Sequence, residues 1–170
     1  FIANVLKAGN ISEEVMNLLK KRDGLVLGIC NGFQALVKTG LAVTGEICDM
    51  TPDMPTLTYN RIGRHISRIV RTRVVSAMSP WAMHPSVVDQ RNHLIAISHG
   101  EGRFVCDEAT AKRLFEKGQV FTQYVDEFGR PAITEPDNPN GSAYAIEGIT
   151  SPDGHVLGKM GHSERGVGME

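Results

Sequence analysis

Apolar and polar positions follow a helical period in some segments of this chain and a strand-like pattern in others. Helical spacing over 11–22 precedes Gly24 and the short apolar run Leu25–Leu27, which is typical of a buried strand. Ser12 is predicted to cap that helix and Gly24 to end it. A second helical segment over 33–39 follows the strand. Helix, strand and helix in this order indicate an α/β fold.

The rest of the chain predicts one further helix and several strands. The helix is expected over 107–117, and the strands over 65–75, 94–98, 119–125, 143–150 and 155–160. Ser-Pro-Asp-Gly at 151–154 is a turn sequence that joins the last two strands as a hairpin.

A candidate nucleophile lies between two glycines where the strand at Leu25–Leu27 ends. The run Gly28-Ile-Cys30-Asn-Gly32 has the sequence form of a nucleophile elbow. The glycines remove Cβ atoms that would collide as the backbone doubles back. The following helix N-terminus offers unpaired N–H groups and partial positive charge, which favour a thiolate. Cys30 is therefore a candidate nucleophile, and a buried structural cysteine is the alternative.

A candidate general base follows the last predicted strand. His162 and Glu164 are two residues apart, which in extended backbone places both side chains on the same side. A cysteine nucleophile needs a base, and the base works best when a carboxylate orients its imidazole. Because open α/β sheets bind ligands at the carboxyl ends of strands, this position favours a site shared with Cys30. A surface His–Glu pair is the alternative.

Composition narrows the possible functions. The 170 residues are 41% hydrophobic and 22% charged, as in one globular domain. The net charge of −1 gives no overall attraction for nucleic acid or an anionic membrane. Arginines over 61–73 lack the interleaved aromatics of a nucleic-acid surface, so a solvated strand face or an interface is favoured.

The three cysteines and the histidines argue against several kinds of site. An odd number of cysteines without CxxC spacing argues against a disulfide framework and a zinc site, and fits a reducing compartment. The histidines other than His162 lack metal-ligand spacing, so no metal is expected. With no visible signal peptide or membrane-length apolar run, a cytoplasmic location is predicted.

The order of these motifs resembles a known family. Gly28-x-Cys30-x-Gly32-x-Gln34 followed by His162-x-Glu164 resembles the class I (triad) glutamine amidotransferase signature. Together with the segments at 98–104, 138–142 and 158–165, it is similar to the glutaminase domain at the C-terminus of large, single-chain phosphoribosylformylglycinamidine (FGAM) synthases. The family usually has proline before the histidine and between the histidine and glutamate, where this chain has Gly161 and Ser163.

The resemblance implies an open, mostly parallel sheet flanked by helices, as in flavodoxin-like folds. It implies that residues 1–170 form one glutaminase domain in the C-terminal part of a longer chain, with the family's N-terminal strands outside these residues. One oxyanion-hole donor would then come from that outside part, and residues 1–170 alone are expected to hydrolyse glutamine slowly.

The resemblance also implies a reaction. The sulfur of Cys30 would attack the side-chain amide of L-glutamine, His162 would protonate the departing ammonia, and Glu164 would orient His162. The remaining site residues that it implies are the oxyanion donor Asn31 and the substrate-binding candidates Gln34, Gly100 and Glu101. The two glycines around Glu101 fit a loop close to a ligand as well as they fit a tight turn.

The ammonia would pass to a synthase portion of the same polypeptide, which would use ATP and Mg²⁺ to amidate formylglycinamide ribonucleotide. No cofactor is expected within residues 1–170. The alternatives are another class I amidotransferase, a γ-glutamyl hydrolase, or a non-catalytic α/β module that docks onto a partner.

Overall fold

The computed structural model describes residues 1–83 and 92–165, so that His84 lies outside the described residues. The helices in this part are α1 (Ile2–Leu6), α2 (Gly9–Lys21), α3 (Asn31–Lys38), α4 (Leu41–Thr44) and α5 (Glu108–Glu116). The strands are β1 (Val26–Ile29), β2 (Thr56–Thr58), β3 (Ile66–Val74), β4 (Asn92–His99), β5 (Arg103–Val105), β6 (Val120–Tyr124), β7 (Ile146–Thr150) and β8 (Val156–Lys159). Short 3₁₀ turns occupy Pro80–Ala82, Ala143–Ala145 and Ser163–Arg165.

Six strands form one sheet in the order β1-β8-β7-β6-β3-β4, and β2 pairs with β5 in a separate ladder. The α/β class predicted from the sequence is confirmed. Within the described sheet, only β1 and β8 run parallel, while the other four pairings are antiparallel. The sheet is therefore mixed rather than mostly parallel. One reason is the tight turn at 151–154, which reverses the chain between β7 and β8 and forces them to pair antiparallel.

Helix α3 packs on one face of the parallel pair β1 and β8. A Cβ on Gly158 of β8 would overlap the ring of Phe33, and a Cβ on Gly28 of β1 would overlap Leu36. Only glycine therefore allows this helix to lie so close to both strands. The main core on this side includes Phe33, Leu36, Val37, Leu41, Leu114, Val120, Ile146, Ile149 and Val156.

The other face of β1 is open in the described part of the structure. Leu27 is 42% exposed. The prediction of a strand here is confirmed, but the strand is buried on only one face. The strands predicted at 65–75, 94–98, 119–125 and 155–160 are also found, with bounds shifted by one or two residues.

Two elements begin at a different residue than predicted for a reason that the local backbone shows. Helix α2 begins at Gly9 with Ala8 at its N-cap, and the N–H of Ser12 already donates to the Ala8 carbonyl at 2.8 Å. Ser12 is thus inside the helix and does not cap it. Strand β7 begins at Ile146 because the preceding residues form a 3₁₀ turn in which Tyr144 and Ala145 have positive φ.

The described residues lack a membrane-spanning helix and a cluster of metal ligands. None of the helices there is both long and apolar enough to cross a bilayer. Nor do three or more His, Cys, Asp or Glu side chains there come together in an arrangement that could hold a metal ion.

Candidate active site

Cys30 stands at the sharp bend between β1 and α3. Its backbone has φ 53° and ψ −107°, an unusual conformation for a residue with a side chain. The Cys30 N–H donates to the Lys159 carbonyl of β8 at 2.9 Å, which holds the bend against the neighbouring strand. A Cβ on Gly28 would lie 2.7 Å from the carbonyl carbon of Gly32, so Gly28 is sterically required. A Cβ on Gly32 would meet nothing within 4 Å, and the predicted collision there was wrong.

The environment of the Cys30 sulfur keeps it as a thiol. Its Sγ lies 3.8 Å from the carbonyl oxygen of Ser98, to which the S–H can donate. Burial raises the pKa of Cys30 above its ordinary value, and the charge of Glu164 adds to this. The Asn31 N–H and the charge of Arg165 act in the opposite direction but do not prevail. The predicted preference for thiolate is therefore not met, because burial raises the pKa of Cys30 by more than the N–H group at the helix N-terminus lowers it.

His162 and Glu164 form a direct pair. Nδ1 of His162 lies 2.5 Å from Oε1 of Glu164. Although partial burial raises the pKa of Glu164, the hydrogen bond from His162 and the nearby positive charges lower it overall. The pairing predicted from the two-residue spacing is found. Its backbone, however, is the 3₁₀ turn Ser163–Arg165 rather than an extended segment.

The fold brings the ends of β1 and β8 to the same edge of the sheet. The two strands are parallel neighbours with Ile29 opposite Lys159, so Cys30 and the segment leading to His162 leave them side by side. Strand β4 joins the two from across the site. Its Ser98 carbonyl contacts the Cys30 sulfur, and its Ala96 carbonyl accepts the His162 N–H at 2.9 Å.

The predicted substrate loop at 98–102 lies against α3. The side-chain amide of Gln34 donates to the carbonyl of Glu101, so Gln34 anchors this loop to α3. The Gly100 carbonyl accepts the backbone N–H of Asn60 at 2.9 Å. Since Ser98 contacts the Cys30 sulfur, Gly100 and Glu101 lie two and three residues from a direct neighbour of Cys30. Their part in substrate binding stays a prediction.

A buried polar network, which the sequence did not predict, fixes the shape of that loop. The Asn60 side chain accepts the Gly102 N–H at 3.1 Å and bonds Nδ1 of His99 at 3.0 Å. From the other side, Asn140 donates to the Gly102 carbonyl at 2.7 Å, and Ser142 accepts the Phe104 N–H at 3.0 Å. The Asn-Pro-Asn-Gly-Ser segment at 138–142, which the sequence indicates only as a turn, thus supports the loop beside Cys30.

A cavity of about 560 Å³ opens on the face of the sheet away from α3. His162, Ser163 and Lys159 line one end of it, and Ile29 and Leu157 are among its apolar walls. Lys159 is 6% exposed and is a further residue that the sequence analysis missed. An ionisable residue within the strand predicted at 155–160 is the signal that could have identified it.

Comparison with known proteins gives consistent matches. The family described as CobB/CobQ-like glutamine amidotransferase domain matches residues 1–169. A phosphoribosylformylglycinamidine synthase subunit PurQ from Methanococcus maripaludis is 36% identical over 84% of this chain and 51% of its own length. The subunit of the same name from a Synechococcus strain is 37% identical over 94% of this chain and 63% of its own length.

Among solved structures, PurLQS from Thermotoga maritima is similar with a TM-score of 0.68 and 27% identity. That match covers 97% of this chain and 62% of the other. The chain thus spans between about half and two thirds of the length of these relatives.

Proposed function

Because the chain belongs to the family of CobB/CobQ-like glutamine amidotransferase domains, we propose that it is a glutaminase that releases ammonia from L-glutamine. The observation that carries this proposal is the placement of Cys30 and of the His162–Glu164 pair after two neighbouring parallel strands. The ammonia serves the ATP-dependent conversion of formylglycinamide ribonucleotide to formylglycinamidine ribonucleotide in purine biosynthesis.

The names of the relatives support the purine reaction, since both curated relatives are called phosphoribosylformylglycinamidine synthase subunits. Their synthase partner would be a separate subunit, whereas the motif resemblance described above favours a synthase portion in the same polypeptide. In either arrangement the synthase holds ATP and Mg²⁺, and the reaction takes place in the cytoplasm. The mass of the native polypeptide distinguishes the two arrangements.

In the proposed chemistry His162 first removes the proton from the Cys30 thiol. Its Nδ1 faces Glu164, so Nε2 is the nitrogen available to take that proton. The sulfur then attacks the amide carbon of glutamine, and a C–S bond forms. The C–N bond breaks as His162 returns the proton to the leaving nitrogen, which departs as ammonia. His162 then takes a proton from water, whose oxygen attacks the thioester carbon. The C–S bond breaks, His162 returns the proton to the Cys30 sulfur, and glutamate leaves.

The negative charge that develops on the amide oxygen needs hydrogen-bond donors. The Asn31 N–H stands at the start of α3 and already interacts with the Cys30 sulfur, so it is the donor proposed here. The loop containing Gly100 and Glu101 would line the glutamine site, with Gln34 holding it in place.

The glutaminase step is tested by labelling the native full-length protein with an electrophilic glutamine analogue. We expect one covalent adduct, located on Cys30 by mass spectrometry and absent from Cys30→Ala. Cys106→Ala is the matched control, because Cys106 is also half-buried and burial raises its pKa to about 11. It should be labelled like the unaltered protein. Folded protein that takes no label on Cys30 would contradict the proposal and favour a non-catalytic docking module.

The purine step is tested with ATP, Mg²⁺ and formylglycinamide ribonucleotide in the presence of the synthase. Cys30→Ala should abolish product formation from glutamine but leave product formation from added ammonium salt intact. If the unaltered protein hydrolyses glutamine but yields no product from either nitrogen source, the chain is another class I amidotransferase or a γ-glutamyl hydrolase.

A further inference from the structure

Two buried charged side chains hold the segment that carries His162. Glu147 of β7 is 1% exposed, and its Oε1 accepts the Gly161 N–H at 2.5 Å. Lys159 of β8 donates from Nζ to the hydroxyl of Ser163 at 2.7 Å. The residues immediately before and after His162 are therefore each tied to a different strand.

We propose that Glu147 and Lys159 are positioning residues for His162. They set where its imidazole stands relative to Cys30, although neither contacts the reacting atoms. This inference rests on the glutaminase function proposed above.

The position of Glu147 in the sheet argues for a specific role. Every residue of β7 is buried, and a carboxylate in such a strand is costly unless donors surround it. Its second oxygen accepts the hydroxyl of Thr122 from β6, so both oxygens are engaged. The proposed proton transfers do not use this carboxylate.

The backbone at Gly161 passes very close to its neighbours. A Cβ there would overlap the side chain of Ile95 and lie 3.0 Å from Oε1 of Glu147. The backbone at Gly161 thus lies between β4 and the Glu147 carboxylate, where a side chain would not fit. A small displacement of Glu147 would therefore move the peptide that leads into His162.

Lys159 acts from the opposite face of the sheet. Gly148 of β7 pairs directly with Lys159, so these two residues share a face, while Glu147 projects from the other. The His162 N–H adds a third restraint through the Ala96 carbonyl. Three strands thus fix a segment in which Glu164, the orienting carboxylate, is itself exposed.

Kinetics of the native full-length protein test the role of Glu147. Glu147→Met keeps the length of the side chain but removes the acceptor, and we expect kcat for glutamine hydrolysis to fall on the order of 10–100-fold with little change in KM. Glu147→Gln retains an acceptor for the Gly161 N–H and should stay within about threefold of the original kcat. Thr122→Val is the matched control, since it removes the other partner of Glu147 and leaves Gly161 bonded.

A double-variant cycle tests the role of Lys159. Lys159→Met and Ser163→Ala remove opposite ends of one hydrogen bond, so each should lower kcat and the combination should lower it no further than the more damaging of the two. Ser163 is exposed, so the Ser163→Ala protein is expected to fold. Additive effects of the two substitutions would overturn the role assigned to Lys159.

Nuclear magnetic resonance separates positioning from catalysis. The Nδ1–H signal of His162 reports its contact with Glu164 whether or not the protein turns over glutamine. It should shift or broaden in Glu147→Met and remain in place in Thr122→Val. An unchanged signal and unchanged kcat in folded Glu147→Met would overturn the inference. If the signal is lost in Glu147→Met but the glutamine analogue never reacts with Cys30 of the unaltered protein, Glu147 positions His162 and the glutaminase function is contradicted.

Discussion

His99 makes the stability of this fold dependent on pH. The residue is 4% exposed and belongs to the loop 98–102 that lies beside Cys30. Burial, together with the positive charges of His65 and His162, lowers the pKa of His99 from 6.5 to about 4, and the negative charge of Glu147 opposes this only in part.

The hydrogen bonds of His99 explain why protonation is unfavourable. The amide of Asn60 donates to the carbonyls of His99 and Arg64, so its oxygen faces the imidazole and accepts from Nδ1–H. The proton added on acidification must then go to Nε2, which is buried and has no hydrogen-bond partner among the described residues. A buried charge without an acceptor is costly.

The free energy of unfolding follows by linkage. Between pH 6.5 and pH 4 the unfolded chain binds a proton at His99 and the folded chain does not, so stability falls as the pH is lowered through this range. With these two pKa values His99 alone removes about 2 kcal/mol between pH 7 and pH 5, and about 3 kcal/mol by pH 4.

Urea unfolding at pH 7, 6 and 5 measures this effect, with circular dichroism and the fluorescence of Trp81, the single tryptophan, as probes. His99→Gln keeps a donor for Asn60 but cannot titrate. The loss of unfolding free energy from pH 7 to pH 5 should be smaller in this variant by about 2 kcal/mol. Equal losses in both proteins would refute the assignment of the low pKa to His99.

Two further substitutions test other parts of the structure. Glu164→Gln should lower kcat for glutamine hydrolysis on the order of 10²–10⁴-fold with a small change in KM, because the imidazole of His162 loses the carboxylate that orients it; an unchanged kcat would contradict this. Gly158→Ala should destabilise the fold by about 1–3 kcal/mol in urea unfolding, since its Cβ overlaps Phe33. Gly100→Ala, whose Cβ meets nothing within 4 Å, is its control and should change stability by less than about 0.5 kcal/mol.

The parts of the site that depend on neighbouring residues could be predicted from the sequence. Gly28 and Cys30 predict a strand–elbow–helix unit because the whole bend lies within the five residues 28–32. The pairing of His162 with Glu164 likewise needs only a two-residue spacing. The bend and the pair are both found, although a 3₁₀ turn rather than extended backbone brings Glu164 to His162.

The supports of the site could not be predicted because they join residues far apart in the chain. Asn60 bonds His99, 39 residues away, and Asn140 bonds Gly102, 38 residues away. The sequence around an asparagine in a loop does not reveal whether its side chain is exposed to solvent or buried in the fold. The sheet topology could not be predicted for the same reason. The hydrophobic pattern predicts strands at β6 and β7 but does not determine whether they pair parallel or antiparallel.

The raised pKa of Cys30 determines which step of the proposed reaction comes first, because the thiol must lose its proton before the sulfur can attack. The resting sulfur is a thiol that contacts the Ser98 carbonyl, and burial outweighs the Asn31 N–H that favours the thiolate. Deprotonation must therefore be coupled to His162, whose positive charge Glu164 then stabilises. As the sulfur forms its bond to carbon, negative charge moves from sulfur to the amide oxygen. The Asn31 N–H can then donate to the amide oxygen instead of the sulfur. One backbone donor thus stabilises first the thiolate and then the oxyanion.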